Sequence, residues 1–249
     1  MMILLKKSLL IITFIPTILF GQETKKVTIE NENPKLKEVY YVLKSNKSIR
    51  HGNYQKFNFK DAILINGYYK NGLKDSIWTE FRWDGKYKKS IGSYFEDKKV
   101  GVWEFYNYKG EQEQKYDFTK NEILFFKLDD KEKIKEYRVI NGSDSIKTIL
   151  DRPPLYIGGS LTMTETLVDN IHYPETAIEN EVSGKVYISF IIDNSGNLTN
   201  YKIFKGIGSG CDEEALRVVK LIPNNWLPGL IDGNTVNVEY ILPINFSME

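Results

Sequence analysis

The clearest pattern in the chain is the alternation of apolar and polar residues in its last stretch. Every second residue of this stretch is apolar: Val236, Val238, Tyr240, Leu242, Ile244 and Phe246. This is the period of a β-strand with one buried face. Residues 186–192 alternate in the same way, and Asp193-Asn194-Ser195-Gly196 then supplies turn-forming residues. We therefore predict a hairpin back into residues 201–204.

A short helix is predicted between these strands. Residues 212–214 are acidic, which suits the positive N-terminal end of a helix. Pro223 ends the helix, because proline lacks an N–H and clashes with the preceding turn. One apolar stripe has the spacing i, i+3, i+4 and i+7: Ala215, Val218, Val219 and Ile222. The order strand, strand, helix, strand predicts a small α+β domain, whose sheet covers helices on one face and meets water on the other.

An ordered series of motifs in this part of the chain resembles the TonB C-terminal domain. The motifs are Tyr173-Pro174-x-x-Ala177, Gly184-Lys185-Val186, Asp193-x-x-Gly196, Asp212-x-x-Ala215-Leu216, Pro223-x-x-Trp226-x-Pro228-Gly229 and Leu242-Pro243-Ile244-Asn245-Phe246. Residues 153–159 are similar to the lead-in of Bacteroidetes-type members of the energy transducer TonB family. The resemblance covers roughly residues 153–246. It implies a small antiparallel sheet with two helices.

The first half of the chain repeats with an offset of 25 residues. Residues 67–81 align with residues 92–106, which superposes Gly67 on Gly92, Tyr69 on Tyr94, Trp78 on Trp103 and Phe81 on Tyr106. A weaker copy begins at His51 and a degenerate one near Tyr116. Such a period predicts stacked units, each too small to bury its own apolar face. The pattern resembles MORN-type repeats, in particular those of the YwqK-like family, and implies an all-β hairpin-repeat domain.

These patterns divide the chain into four segments. Residues 22–127 form the repeat domain and residues 153–249 the TonB C-terminal-like domain. Residues 128–152 are charged and are expected to connect the two, with a hairpin around Asn141-Gly142. The connection is not proline-rich, so it does not predict a stiff rod.

Residues 1–21 are typical of a signal peptide, with Lys6 and Lys7 before an apolar core and Gly21 before the expected cut. The alternative is an uncleaved membrane anchor. A spanning helix needs about 20 apolar residues, and the uninterrupted run here is shorter and contains Pro16. Cleavage, and hence an exported, periplasmic protein, is the favoured interpretation.

Composition and motifs argue against an enzyme. The 34 basic residues nearly balance the 33 acidic ones, so no basic excess indicates a nucleic-acid partner. With two histidines, His51 and His172, and one cysteine, Cys211, the chain has no Cys/His set for zinc, and we expect no cofactor. Residues 206–210 superficially resemble a phosphate-binding loop, but the last glycine of the fingerprint is missing and acidic residues follow. Trp226 is expected to pack in the core.

Pro243 is the most informative functional feature. Proline cannot donate to a β-ladder, so one side of the last strand is expected at a sheet edge or a bulge. An edge offers unpaired backbone groups to an extended peptide. The TonB resemblance implies capture of the TonB box of an outer-membrane receptor alongside this strand. The candidate peptide-binding residues are Val236, Asn237, Val238, Glu239, Tyr240, Ile241 and Leu242. The competing interpretation is an edge covered by the chain itself or by a second copy.

Two functional hypotheses follow. The first is an exported TonB-like module, linked to TonB-dependent outer-membrane transport, which docks a receptor peptide onto an edge strand. The alternative is an envelope scaffolding protein that uses its β-repeats for contacts and its C-terminal domain to form a homodimer.

Overall fold

The computed structural model describes residues 22–32, 34–128 and 130–248. The predicted signal peptide, residues 1–21, lies outside them. The described chain is mostly β-structure with few helices, and it forms a long antiparallel sheet followed by a second sheet that carries helices.

The first sheet, called the array here, contains nine strands that pair in the order of the sequence. They are β1 (Thr24–Glu32), β2 (Lys35–Leu43), β3 (Arg50–Phe57), β4 (Ile63–Lys70), β5 (Leu73–Phe81), β6 (Lys88–Phe95), β7 (Lys98–Tyr106), β8 (Gln112–Asp117) and β9 (Glu122–Phe126). Tight turns join the strands of each repeat: Asn71 and Gly72, between β4 and β5, have φ values of 53° and 92°. Positive φ at both residues is what two-residue hairpins require. The predicted hairpin array is confirmed, although this topology does not by itself assign it to the MORN family.

The offset of 25 residues reflects one packing unit. Trp103 of β7 is 1% exposed and its ring lies over Gly92 of β6, where a Cβ atom would be 2.2 Å from the ring. Its indole Nε1 donates to the carbonyl of Ser93 at 3.0 Å. Trp78 lies over Gly67 in the same way, with the same 2.2 Å approach. Glycine recurs in the repeat because the indole of the next strand occupies the space of a side chain.

The second sheet has the strand order β11-β10-β17-β13-β14, and β16 also pairs with β17. Its strands are β10 (Glu136–Asn141), β11 (Asp144–Ile149), β13 (Gly184–Ile192), β14 (Leu198–Lys205), β16 (Gly229–Ile231) and β17 (Asn234–Phe246). A separate short pair consists of β12 (Leu155–Tyr156) and β15 (Trp226–Leu227). The helices are α1 (Asp130–Lys133), α2 (Gly159–Val168), α3 (Glu175–Glu179) and α4 (Cys211–Val219).

The predicted β13–β14 hairpin, helix α4 and final strand are confirmed, but two expectations were wrong. Residues 159–219 hold three helices in the described structure, where two were expected. Residues 128–152 are also more than a connection, because the β10–β11 hairpin forms two strands of the second sheet. The hairpin turns at Gly142, as predicted, and docks on β17 through its first strand.

The core of the second sheet lies between its inner face and helix α4. Val186, Ile188, Phe190 and Ile192 of β13 are fully buried there, together with residues of α4 and β17 (Cys211, Ala215, Val218, Val219, Leu242, Ile244 and Phe246). Trp226 is 6% exposed and its ring packs against Tyr156, Phe190 and Tyr240. The prediction of a core Trp226 is confirmed, and Cys211 is buried in the same core.

The array and the second sheet are joined by buried polar contacts. The amide of Gln114 donates to the carbonyl of Tyr156 at 3.1 Å and accepts from the N–H of Gly158 at 2.9 Å. Lys89 of the array reaches Glu165 of α2 at 2.6 Å. The C-terminal part of the chain therefore contacts the array through residues 153–159 and through α2.

The described residues include no helix that is long and apolar enough to cross a membrane. They also include no group of three or more histidine, cysteine or acidic residues placed to hold a metal ion.

Candidate peptide-binding site

The last strand, β17, has different neighbours along its length. Its beginning pairs with β16, from Asn234 to Val236. Residues 237–239 pair with β10, and residues 238–246 pair with β13 on the other side. Beyond residue 239, the described residues supply β17 with a partner on the β13 side alone. We call residues 240–246 the open half of β17.

This arrangement corrects the predicted edge. Asn237 lies opposite Ile140, Val238 opposite Val139 and Glu239 opposite Arg138, so their second side is occupied by β10. Val236 lies opposite Gly229 of β16. Val238 and Glu239 therefore have strand partners on both sides, and the expectation of a free edge was wrong for these two residues, whereas Val236 and Asn237 pair with β16 and β10 respectively.

The other three predicted residues lie in the open half. Tyr240 is opposite Phe190, Ile241 opposite Ser189 and Leu242 opposite Ile188, all on β13. Pro243 follows, opposite Tyr187, and the described chain places no strand on its other side. The proline therefore lies beside a partnerless side of the strand, as its missing N–H predicts.

The open half keeps the alternation of a strand with one buried face. Leu242, Ile244 and Phe246 are buried, whereas Ile241, Pro243 and Asn245 are exposed. The ring of Phe246 contacts Tyr173 near α3, with ring centroids 5.5 Å apart. A strand added here would thus extend a sheet whose inner face is already covered by helices.

The two outer strands of the sheet are less suitable as docking edges. The ladder between β13 and β14 is interrupted by two register shifts, and such irregularities discourage further pairing. Strand β11 is exposed at every residue except Thr148, which is half-buried. Its large apolar side chains, Ile146 and Ile149, are exposed and contribute nothing to a buried face that an added peptide could extend.

A groove of about 750 Å³ lies between the array and the second sheet, and Tyr240 forms part of its wall. Tyr156, Met163 and Trp226 give it an apolar side. Two of its lysines are paired with carboxylates, Lys127 with Glu111 at 2.8 Å and Lys133 with Asp130 at 2.8 Å. Burial raises the pKa of Tyr240 to about 12, so its hydroxyl stays protonated at neutral pH. The groove favours neutral, partly apolar contacts.

Residues 206–210 do not form a free anion site. The carboxylate of Asp212 accepts the N–H groups of Ile207 at 2.7 Å and Gly208 at 3.2 Å. Loop amides that could cradle a phosphate are thus bound to a carboxylate of the chain itself, in agreement with the sequence analysis.

Sequence reasoning missed the contribution of β10 to the site. The signal was present in part, because the hairpin at Asn141-Gly142 was predicted from its turn residues. Its partner was not predictable, since Arg138 and Glu239 are 101 residues apart.

The fold and the accessible edge of β17 define the class of this part of the chain. It is a small α+β module with helices on one face of its sheet and a partly accessible strand. Residues 169–248 match the family model of the Gram-negative bacterial TonB protein C-terminal. This C-terminal region of the chain is therefore similar to the TonB C-terminal domain.

The NMR structure of the Helicobacter pylori TonB C-terminal domain is 23% identical to this chain, with a TM-score of 0.26. The match covers 35% of this chain and 90% of that chain. A likeness at this score does not define a fold. No curated protein matches the chain.

Proposed function

We propose that this protein is an exported TonB-like module that docks an extended segment of an outer-membrane receptor onto the open half of β17. The observation that carries the proposal is the one-sided pairing of residues 240–246. Backbone N–H and C=O groups on that side are available to a further strand, which is the basis of peptide capture by β-augmentation. The TonB family match over residues 169–248 supports a receptor as the partner.

The proposed binding relies on backbone hydrogen bonds and on the shape of the strand edge, and it requires no catalytic reaction. The described residues provide no group of three or more histidine, cysteine or acidic residues placed to hold a metal ion. Alternate side chains of the peptide would extend the buried face formed by Leu242, Ile244 and Phe246. We therefore expect neither turnover nor a cofactor requirement.

The test is an NMR titration of the ¹⁵N-labelled protein with a synthetic TonB-box peptide. We expect shifts of the amides of Ile241, Leu242, Ile244, Asn245 and Phe246. A matched pair of N-methylated peptides provides the control, because successive residues of a strand direct their N–H groups to opposite sides. Methylation of one alternate set should abolish binding, while methylation of the other set should leave it intact. Equal effects of both sets, or shifts confined to the array, would exclude strand addition at this edge.

A second candidate function is envelope scaffolding through the array. Phe59, Trp83 and Tyr108 are 53%, 52% and 61% exposed at turns of alternate hairpins. Lys60 and Lys109 lie over the rings of Phe59 and Tyr108. Such exposed aromatic groups are typical of contact surfaces.

Under this alternative, replacing the three exposed aromatic residues by serine abolishes capture of an envelope partner, and sedimentation detects a homodimer. Under the TonB-like function the same variant keeps its peptide affinity. The two functions are therefore separated by one variant and one binding assay.

A further inference from the structure

The β10–β11 hairpin occupies part of the surface that the sequence assigned to a ligand. Strand β10 runs antiparallel to β17 and covers residues 237–239, while residues 240–246 stay open on the same sheet. We propose that this hairpin occupies part of the binding edge when no ligand is bound, and that an incoming extended segment displaces the hairpin. The inference rests on the proposed function and adds how the site is regulated and which peptide chemistry it accepts.

The contact between the hairpin and β17 is short. Only three residue pairs join β10 to β17 in the described ladder. The second strand of the hairpin, β11, pairs with β10 and forms the outer edge of the sheet. A three-pair contact is small enough for a longer segment, which gains the pairs of the open half as well, to replace it.

The hairpin is nevertheless held in a defined position. Tyr137, Val139 and Leu150 form a buried cluster with Val238, which is fully buried. The hydroxyl of Tyr137 donates to the carboxylate of Glu132. On the other face, the guanidinium of Arg138 lies 3.4 Å from the carboxylate of Glu239. The site therefore has an apolar recess on one face and an acidic group on the other.

These contacts describe the segment that would replace β10. Its backbone should run antiparallel to β17, with an aromatic and a β-branched residue two positions apart, in the places of Tyr137 and Val139. A basic residue between them would take the place of Arg138 opposite Glu239. Because successive side chains of a strand point to opposite faces, this pattern satisfies both faces at once.

The direction of the strands fixes which part of the incoming segment meets each part of β17. In an antiparallel segment, the residues that pair with the open half precede those that replace β10. Continued along β10, the register places Tyr137 opposite Tyr240 and Glu136 opposite Ile241, so the segment would first pair along residues 242–246, beyond the hairpin, and then replace β10 along residues 237–241.

A reversible lock tests this displacement in the full-length protein. Arg138 and Glu239 lie directly opposite each other. Opposed residues of an antiparallel pair have Cα atoms about 4.5–5.5 Å apart, which suits a disulfide. The variant Arg138→Cys with Glu239→Cys therefore fixes the hairpin when oxidised and frees it when reduced. The native thiol, Cys211, is buried and remote in sequence from both positions.

The probe is a fluorescent peptide with the sequence of residues 135–141, which copies β10. We expect it to bind the reduced variant, to shift the amides of residues 237–239, and to bind the oxidised variant at least about ten-fold more weakly, a change easily resolved by anisotropy. Equal affinity in the two redox states, or failure to bind the reduced variant, would overturn the displacement.

A second arm requires no disulfide. Arg138→Glu places two carboxylates opposite each other and should loosen the hairpin, since like charges directly opposite destabilise a ladder. We expect the probe to bind this variant roughly three-fold more tightly than wild type, a modest gain in keeping with a partly exposed ion pair. Lys202→Glu is the matched control, because Lys202 lies on β14, opposite Ser189 and away from the hairpin, and makes the same charge change. Equal effects of the two substitutions would contradict the inference.

The TonB-box peptide separates this inference from the proposed function. If it still shifts the amides of residues 241–246 in the oxidised variant while the probe binds both redox states equally, docking at the open half stands and displacement is wrong. If it shifts no amide of β17 in any variant, the proposed function fails and the displacement fails with it.

Discussion

Replacing Gly92 by alanine tests the packing unit that recurs along the array. A Cβ atom at this position would lie 2.2 Å from Trp103, well inside van der Waals contact. The indole cannot withdraw freely, because its Nε1 is bonded to the carbonyl of Ser93 at 3.0 Å and its ring stacks on Phe105. The added methyl group must therefore displace a buried ring or move the backbone of β6.

The size of the effect follows from two opposed terms. Overpacking of a well-packed site costs about 1–3 kcal/mol. Removing a glycine from a strand returns about 0.5–1 kcal/mol, because alanine loses less conformational freedom on folding. Because the added Cβ would lie 2.2 Å from the ring, we take the upper part of the overpacking range, about 2–3 kcal/mol, and expect a net loss of about 1–2.5 kcal/mol in the free energy of unfolding, which lowers the Tm by roughly 2–10 °C for a chain of this size.

The assay is urea denaturation followed by circular dichroism, with Ser93→Ala as the control on the same strand. The Ser93 side chain has no hydrogen bond in the structure, so we expect that control to stay within about 0.5 kcal/mol of wild type. In a Trp103→Leu background, the alanine substitution should cost far less, because the obstructing ring is gone. If the Gly92→Ala variant is as stable as wild type, the explanation that glycine recurs in the repeat because the indole occupies the space of a side chain is refuted.

Two further predictions concern the junction of the sheets and the behaviour at high pH. Gln114→Ala leaves the buried carbonyl of Tyr156 and the N–H of Gly158 without their partner. We expect it to lower the free energy of unfolding, measured by urea denaturation, by about 1–3 kcal/mol. The control Gln55→Ala removes an exposed contact to Asn66 and should be nearly neutral. Burial raises the pKa of Tyr94 to about 12; because the unfolded value is about 10, stability is fully present below pH 10 and is lost as the pH rises towards 12. Tyr94→Phe should therefore lose less stability than wild type between about pH 10 and pH 12, and an equal loss in both proteins would show that Tyr94 does not contribute.

Local patterns predicted the elements well, since they depend on neighbouring residues. Period-2 alternation located β13 and β17, and the apolar stripe from Ala215 to Ile222 located α4. The offset of 25 residues located the hairpins of the array. In each case the signal lies within one strand, one helical face or one tight turn, so no distant part of the chain was needed to interpret it.

The neighbours of β17 could not be predicted in this way. Pro243 correctly indicated a side without a strand partner, but the extension of that edge over Val238 and Glu239 was wrong. The missing information is long-range, because β10 reaches β17 across about 100 residues of sequence. The contact between Gln114 and Tyr156 was missed for the same reason: a glutamine on a strand gives no local sign that it joins two sheets.

The most direct test of the account is the set of interstrand nuclear Overhauser effects in the complex with the TonB-box peptide. We expect contacts between backbone protons of the peptide and those of Ile241 to Asn245, in an antiparallel pattern. Contacts to β11 or β14 instead, or a bound peptide with no interstrand contacts to β17, would contradict the assignment of the open half as the docking edge.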